Sequence, residues 1–411
     1  MRLSTIRTLY GGAGPWASVY LDATGTQQTG TPQEARRQLD LRWRAAREEL
    51  GRDGADEATL RAIDECVREA PAHGGPAEVA LFASAGSVAF SRTLPVTPRR
   101  QLASWSTQPH AAELLRSLGA LASSDSRDAP NALTSLRDLG DTGEEVRWVR
   151  ADVDRTGGSV RSSDGAMVTL RGEDEFIRKV NTIDRDRQIW GESKVEHAAA
   201  ENWGQNSRDL ARVIAAAVER TDADVIVLAG DLRARQLVIE RLPSGYSGKV
   251  VEVDHESEPR PHPESRVRAL REPSIHDPLL DAATRVAVES VARERRRSVV
   301  DRFHQGLSQG QSVRGLEPVC DAARDLRIDT LVLSAEPSRV GVWVDPLNPT
   351  MVGPAKSHTG TDSPAWEPAD EALVGAAAIA GANSVVIEAD PELIDGIGAI
   401  LRFPSDRPPG G

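Results

Sequence analysis

The sequence predicts an α/β protein of three domains. The chain has 411 residues, and a typical domain size of roughly 100–200 residues divides such a length into about two to four domains. Short runs rich in Val, Ile and Leu alternate with segments of helical apolar spacing, which is the pattern of α/β folds. Two polar stretches interrupt this pattern, so the predicted domains are residues 1–135, 145–256 and 279–411, with 257–278 as a linker.

The first region combines strands and helices. Trp16–Leu21 is rich in β-branched and aromatic residues, which favours a strand. Thr31-Pro32 is typical of a helix start and predicts a helix to about Leu50. Apolar residues recur at helical spacing over Asp56–Glu69, which predicts a second helix. Further strands are predicted at Val79–Ala83 and Ser87–Phe90.

The second region follows a polar stretch over residues 122–145. It begins with a strand at Val146–Val149 and a hairpin whose turn carries Gly157-Gly158. A long helix is predicted over Glu196–Glu219. In the segment Asp224–Ala229, the unbroken apolar run that follows Asp224 then indicates a buried, parallel-type strand. A short helix and a strand at Lys249–Val253 complete the region.

The third region follows a stretch rich in proline and acidic residues, which we interpret as a linker. It opens with a long helix in which Leu280, Ala287 and Val291 keep helical spacing. The rest is predicted as helices Leu316–Leu326 and Ala369–Gly381, strands Thr330–Ser334, Val340–Val344, Ser384–Glu388 and Ile397–Phe403, and a polar loop over Asn348–Pro368. This order suits an α/β/α sandwich.

Composition and motifs argue against membrane, metal-binding and nucleotide-binding functions. No apolar run approaches the roughly 20 residues of a membrane-spanning helix, and the first residues carry no signal-peptide pattern, so we expect a cytoplasmic protein without a membrane partner. The net charge of −12 argues against a general nucleic-acid coat but allows a local basic face. Cys66 and Cys320 lie apart, and neither is close to a His. The histidines of the linker fit no zinc spacing, and no glycine cluster forms a nucleotide-binding loop. We predict neither a metal nor another cofactor.

Several segments together resemble the bacterial archaeo-eukaryotic release-factor-like family, in its actinobacterial dormancy-associated and Balon-like ribosome-hibernation branch. These segments are Gly14–Asp22, Asp329–Ser334, Asp370–Ala380 and Gly396–Phe403. The resemblance implies a small N-terminal α/β domain, a middle domain of ribonuclease-H-like topology and a C-terminal domain of the L7Ae/L30e type. It also implies the ribosome and its RNA as partners, with a translation elongation factor as a further candidate.

The hydrolytic tripeptide of true release factors is absent from the sequence. In those factors a Gly-Gly-Gln on a middle-domain loop positions water against the peptidyl-tRNA ester, and glycines allow the backbone to approach closely. The paired glycines here precede Ala13, Pro76 and Ser159. The expected loop offers only Trp190-Gly191-Glu192, and Trp203-Gly204-Gln205 lies within the predicted long helix. We therefore expect no catalytic residues and a factor that occupies the ribosome without cleaving the ester.

Basic and aromatic residues are concentrated where the catalytic loop of release factors would stand. We predict that this stretch binds RNA, with Arg and Lys on phosphates and Trp190 stacked on a base, although a solvated surface is the simpler interpretation. His197 follows at the predicted helix start, where capping or packing is the alternative role. The predicted RNA-binding residues are Arg178, Lys179, Arg185, Arg187, Gln188, Trp190, Lys194 and His197. A second set of basic residues, Arg36, Arg37, Arg42, Arg44 and Arg47, covers a helix face and is either ordinary surface or a phosphate-facing patch.

Two enzymatic alternatives stay open. A peptidyl-tRNA hydrolase or ribosome-rescue factor could use a non-standard loop. A metal-dependent ribonuclease could place Asp152, Asp154 and Asp231 around paired Mg²⁺ ions. The simpler interpretation is that the first two begin a turn and that Asp231 caps a helix. We favour a ribosome-binding translation factor with a hibernation or stress-related role at the aminoacyl-tRNA site.

Overall fold

The computed structural model confirms the α/β class and groups the chain into two compact units. The outer unit comprises Met1–Glu145 and Glu294–Gly411, and the middle unit comprises Val146–Arg293. The described residues are 2–12, 14–24, 32–70, 77–96, 99–121, 146–154, 157–171, 192–253, 278–388 and 390–404. In this described part of the chain, no helix is both long and apolar enough to cross a membrane.

The first part of the outer unit is an antiparallel sheet with helices on both faces. The sheet order is β3-β2-β1-β4. Alternate side chains point to opposite faces, so Leu81 packs against α1 and α2 whereas Phe82 faces α3. A 3-10 helix spans Leu3–Tyr10. The remaining elements are β1 Trp16–Asp22, α1 Pro32–Arg52, α2 Glu57–Glu69, β2 Glu78–Ser84, β3 Ser87–Leu94, β4 Leu102–Ser106 and α3 Ala112–Leu121.

The middle unit contains a five-stranded mixed sheet. Its order is β7-β6-β5-β8-β9, in which β5, β6 and β7 are antiparallel neighbours while β8 and β9 run parallel to β5. This is the ribonuclease-H-like arrangement that the resemblance implied. The elements are β5 Trp148–Asp154, β6 Gly157–Ser162, β7 Met167–Arg171, α4 Glu192–Thr221, β8 Val225–Gly230, α5 Leu232–Ile239 and β9 Val250–Glu252, followed by α6 Pro278–Gln309.

The last part of the outer unit is an α/β/α sandwich. Its main sheet has the order β10-β16-β11-β15. Phe303 of α6 packs on one face with Val332, and α7 and α8 cover the other face. A second sheet, β13-β12-β14, stands between β11 and α8 in the chain. The elements are β10 Ser312–Arg314, α7 Leu316–Arg324, β11 Ile328–Ser334, β12 Gly341–Asp345, β13 Asn348–Gly353, β14 Ala365–Pro368, α8 Ala369–Ile379, β15 Asn383–Ile387 and β16 Ile397–Leu401.

The structure differs from the sequence-based prediction in two places. The polar stretch Asn348–Pro368 was predicted as a loop, which is wrong, because it contributes two strands to a three-stranded sheet. Gly157 and Gly158 were predicted in a turn, but they begin β6 opposite Asp154 and Val153. The division between the two units falls after Arg293, and Leu280 and Ala287 pack against the sheet of the middle unit. The predicted domain bounds stay predictions.

Candidate functional site

Most of the predicted RNA-binding residues lie outside the described part of the chain. Arg178, Lys179, Arg185, Arg187, Gln188 and Trp190 lie outside the described residues. Lys194 and His197 belong to helix α4, whose side chains are described only from Gly204 onward. Because α4 begins at Glu192, His197 lies in its second turn and not at its start. The RNA-binding role of these eight residues stays a prediction.

A cleft does exist where the two central strands of the middle sheet end. Strands β5 and β8 are parallel, so their carboxyl ends meet at one edge, which is where open α/β sheets bind ligands. Asp154 ends β5 and Asp231 follows β8 directly. The cleft is lined by Asp154, Asn206, Ser207, Leu210, Asp231, Ala234, Leu237 and Val238.

Asp231 has the structural role that the sequence predicted. Its carboxylate accepts a hydrogen bond of 3.0 Å from the backbone N–H of Ala234, which caps helix α5. Its own N–H donates to the carbonyl of Val153 at 2.9 Å. Asp152 and Asp154 were predicted to begin a turn, but they lie within and at the end of β5. Among the described residues no three His, Cys, Asp or Glu side chains are placed as ligands of one metal ion.

Gly230 allows the two strand ends to come together. Its φ is +101°, a conformation that side chains rarely adopt. A Cβ at this position would lie 2.1 Å from the carbonyl oxygen of Val153 and 2.8 Å from Oδ1 of Asp152. The close approach therefore requires glycine and keeps the carboxylate of Asp152 against the β8 end.

The nearest imitation of a hydrolytic tripeptide lies on a helix. Trp203-Gly204-Gln205 falls inside α4, as predicted. The side chain of Gln205 donates to the carboxylate of Asp209, one turn along, at 3.3–3.4 Å. The tripeptide thus has neither the loop conformation nor a free amide side chain in this structure.

A buried network of ionisable side chains in the outer unit was missed by the sequence analysis. His110 lies just before α3 and Arg116 lies within it. Both contact carboxylates from the end of β14 and the start of α8. The Nε2 atom of His110 lies 2.9 Å from the carboxylate of Glu367. The guanidinium of Arg116, 1% exposed, donates to Asp370 at 2.5 Å. Asp370 and Glu371 begin an otherwise apolar, alanine-rich helix. This contrast between two acidic residues and an apolar helix was the sequence signal that could have indicated a buried ionisable network.

Burial dominates the electrostatics of this network. It raises the pKa of Glu371 to about 7 and that of Glu78 to about 7. The pKa of His110 is lowered by burial, but the hydrogen bond with Glu367 and the nearby carboxylates outweigh this and raise it overall. Glu371 accepts a 2.6 Å hydrogen bond from the N–H of Ala112. The network therefore ties the first and last parts of the outer unit together.

The basic face predicted on α1 is largely engaged inside the outer unit. Arg36 donates to the carbonyl of Val67 at 2.9 Å, Arg42 pairs with Asp22, and Arg47 pairs with Glu57 and Asp64. Arg37 and Arg44 are exposed. Three of the five arginines thus hold the local fold, which supports the simpler interpretation of this face.

The fold and the cleft define an α/β protein with a ribonuclease-H-like middle unit. Comparison with known proteins then gives the family. Residues 147–309 match the model of the bacterial archaeo-eukaryotic release factor family 2, a range that begins one residue before β5 and ends with the last residue of α6. The middle region of the chain is thus similar to the bacterial archaeo-eukaryotic release-factor-like proteins, as the resemblance implied, and the hibernation branch stays a prediction.

Relatives over the full length and solved structures were also found. Two uncharacterized proteins of Mycobacterium tuberculosis, from strains H37Rv and CDC 1551 / Oshkosh, are 26% identical and align over 98% of this chain and 97% of their own length. The archaeal translation termination factor aRF1 is 12% identical, covers 98% of this chain and 96% of its own, and has a TM-score of 0.22. Archaeoglobus fulgidus Pelota is 13% identical, with coverages of 98% and 92% and a TM-score of 0.32.

Proposed function

We propose that the protein is a ribosome-binding translation factor that occupies the aminoacyl-tRNA site without hydrolysing peptidyl-tRNA, in a hibernation or stress-related role. The observation that carries the proposal is the release-factor family match of residues 147–309 in a chain whose sequence contains no Gly-Gly-Gln. A factor that keeps the family's middle fold but lacks the hydrolytic tripeptide retains the means to bind while losing the group that positions water.

The proposed RNA contact is the stretch around Trp190. Arg185 and Arg187 would neutralise phosphates and Trp190 would stack on an unpaired base, which is how proteins usually hold looped RNA. The whole chain is acidic, with a net charge of −12. Binding should therefore depend on this local basic stretch.

Co-sedimentation with ribosomes from growing and starved cells tests the binding proposal. We expect the wild-type protein to sediment with ribosomes, more strongly with those from starved cells. The variant Arg185→Ala/Arg187→Ala/Trp190→Ala should bind more weakly. Its salt dependence should also be shallower, by roughly 0.7 in the slope of log affinity against log salt for each lost phosphate contact.

The matched control is Arg37→Ala/Arg44→Ala, which removes two exposed arginines of helix α1 and should leave sedimentation unchanged. Equal weakening by both variants would show that only total charge matters. Undiminished sedimentation of the triple variant would remove the loop from the binding site.

Peptide release separates the proposal from the hydrolase alternative. Ribosomes loaded with peptidyl-tRNA should release no peptide when the wild-type protein is added. Clear release that is lost in Glu192→Ala or Gln205→Ala would establish a hydrolase with a non-standard loop.

The ribonuclease alternative has its own observation, the cleft with Asp154 and Asp231 at the strand ends. Added Mg²⁺ should produce no RNA cleavage, and Asp152→Asn/Asp154→Asn/Asp231→Asn should leave ribosome binding nearly unchanged. Mg²⁺-dependent cleavage that this triple variant abolishes would favour the nuclease.

A further inference from the structure

Two tryptophans share the solvent-facing side of the small sheet β13-β12-β14. Trp343 and Trp366 are direct partners across β12 and β14, and their ring centroids lie 5.1 Å apart at an interplanar angle of 64°. The neighbouring Val342 and Glu367 point the other way and are buried. Trp366 nevertheless remains 56% exposed, an unusual exposure for the largest side chain.

Glycine supports the position of Trp366. A Cβ on Gly341 would lie 2.6 Å from the Trp366 ring, so the ring rests directly on the backbone of β12. This contact fixes one side of the ring and leaves the remainder open to solvent. Trp366 is therefore a pre-formed platform on which a planar group can stack.

Basic groups lie near Trp343, the partner of Trp366 across the sheet. The Nζ atom of Lys356 lies 4.3 Å from the centroid of the Trp343 ring, a cation–π geometry. His358 and Arg324 lie over Gly353, where a Cβ would come within 2.4 Å and 2.7 Å of their ring and guanidinium nitrogens. Gly353 is the partner of Trp343 on β13. The basic groups thus continue the aromatic row across the sheet.

Two acidic groups of the neighbouring elements have partners of their own. Asp321 pairs with Arg324, and Asp345 accepts a 2.9 Å hydrogen bond from the N–H of Leu347. In the part of the chain that the structure describes, no carboxylate forms an ion pair with Lys356. Lys356 is therefore the cation that remains to meet an anion beside the rings. His358, whose Nδ1 accepts a 3.4 Å hydrogen bond from the N–H of Ala355, can donate from Nε2.

We propose that this face, formed by Trp343, Trp366, Lys356 and His358, binds a nucleotide of unpaired RNA, with the base stacked on Trp366 and the phosphate beside Lys356 and His358. Stacking platforms flanked by cations are what single-stranded nucleic acid requires. A proline-rich peptide can also lie on exposed tryptophans, but it offers no negative charge for the basic row. This inference adds a second RNA contact to the proposed function. It rests on the proposed function only in taking ribosomal RNA as the source of the nucleotide.

Fluorescence anisotropy with a labelled single-stranded ten-nucleotide RNA tests the inference. Trp366→Ala should weaken binding by about 5- to 150-fold, the effect of losing one stacked base, and Trp366→Phe should restore most of it. Lys356→Ala should lower the salt slope by about 0.7, and Lys356→Arg should return it. Phe403→Ala is the control, because Phe403 is 67% exposed elsewhere in the outer unit and its loss should not alter binding.

The same measurements in the Arg185→Ala/Arg187→Ala/Trp190→Ala background separate this site from the proposed RNA contact around Trp190. The effect of Trp366→Ala should persist there. An affinity insensitive to Trp366→Ala, or binding of a labelled proline-rich peptide instead of RNA, would overturn the inference. If RNA binds through Trp366 but the protein fails to sediment with ribosomes, the proposed function fails and this site stands. If the protein sediments with ribosomes but RNA binding does not depend on Trp366, this site is excluded and the proposed function stands.

Discussion

The buried guanidinium of Arg116 should be worth several kcal/mol to the outer unit. It donates to Asp370 at 2.5 Å and lies 3.7 Å from Glu113, and all three side chains are at most 3% exposed. Removing one partner of a buried ion pair leaves an uncompensated charge and typically costs about 3–5 kcal/mol. We expect Arg116→Met, which keeps much of the volume, to destabilise the outer unit by about that amount.

Hydrogen exchange is the suitable assay, because a chain of two units need not unfold in one step. The opening free energy of peptides from α3 and α8 should fall by about 3–5 kcal/mol in Arg116→Met, and Arg116→Met/Asp370→Asn should recover part of the loss. Arg302→Met is the control, since its 3.1 Å pair with Asp329 is half exposed and such pairs contribute at most about 1 kcal/mol. Equal effects of Arg116→Met and Arg302→Met would refute the reasoning.

Three further changes test the buried network and the cleft. Burial raises the pKa of Glu371 to about 7 from a usual 4.5, so its contribution to stability is full below pH 4.5 and is lost as the pH rises through 7. Glu371→Gln should accordingly unfold at a higher temperature than wild type at pH 8, with little difference at pH 5; a gap that does not change with pH would contradict this. Asp231→Ala removes the cap of α5 and should cost about 0.5–2 kcal/mol in urea unfolding, whereas Asp231→Ser should restore most of it; equal losses would exclude a capping role. Gly230→Ala places a Cβ within 2.1 Å of the carbonyl oxygen of Val153, at a φ of +101°. It should lower the urea midpoint of unfolding more than the control Gly245→Ala, where the added Cβ meets nothing within 4 Å. A smaller decrease than in the control would contradict the strain argument.

Local patterns were sufficient for the elements that carry their own hydrophobic signal. Val225–Gly230 is buried at every position, and its unbroken apolar run indicated a parallel strand. Asp56 was predicted at the start of a helix, and its carboxylate caps that helix by accepting from the N–H of Thr59 at 2.9 Å. In both cases the residues that specify the element lie within it.

Elements stabilised by distant partners were not predictable in the same way. Strands β13 and β14 lie in a stretch of Pro, Gly and Ser and exist because both pair with β12. The network around Arg116 joins residues about 250 positions apart, so local sequence patterns do not show that its charges meet. The ribonuclease-H-like order of the middle sheet came from the resemblance, because strand order is not visible in apolar periodicity.

The non-hydrolytic proposal can be probed at the one tripeptide that imitates the release-factor motif. A backbone amide stabilises an oxyanion only when its N–H is available, but inside helix α4 each N–H donates to the carbonyl one turn earlier. Gly204 lies in this helix, and a Cβ there would meet only a guanidinium nitrogen of Arg241 at 3.8 Å. Glycine inside a helix is less stable than alanine by about 0.5–1 kcal/mol. Gly204→Ala should therefore raise the unfolding temperature slightly and leave ribosome co-sedimentation unchanged. A glycine that served catalysis would behave in the opposite way, with measurable peptide release by the wild-type protein and its loss in Gly204→Ala.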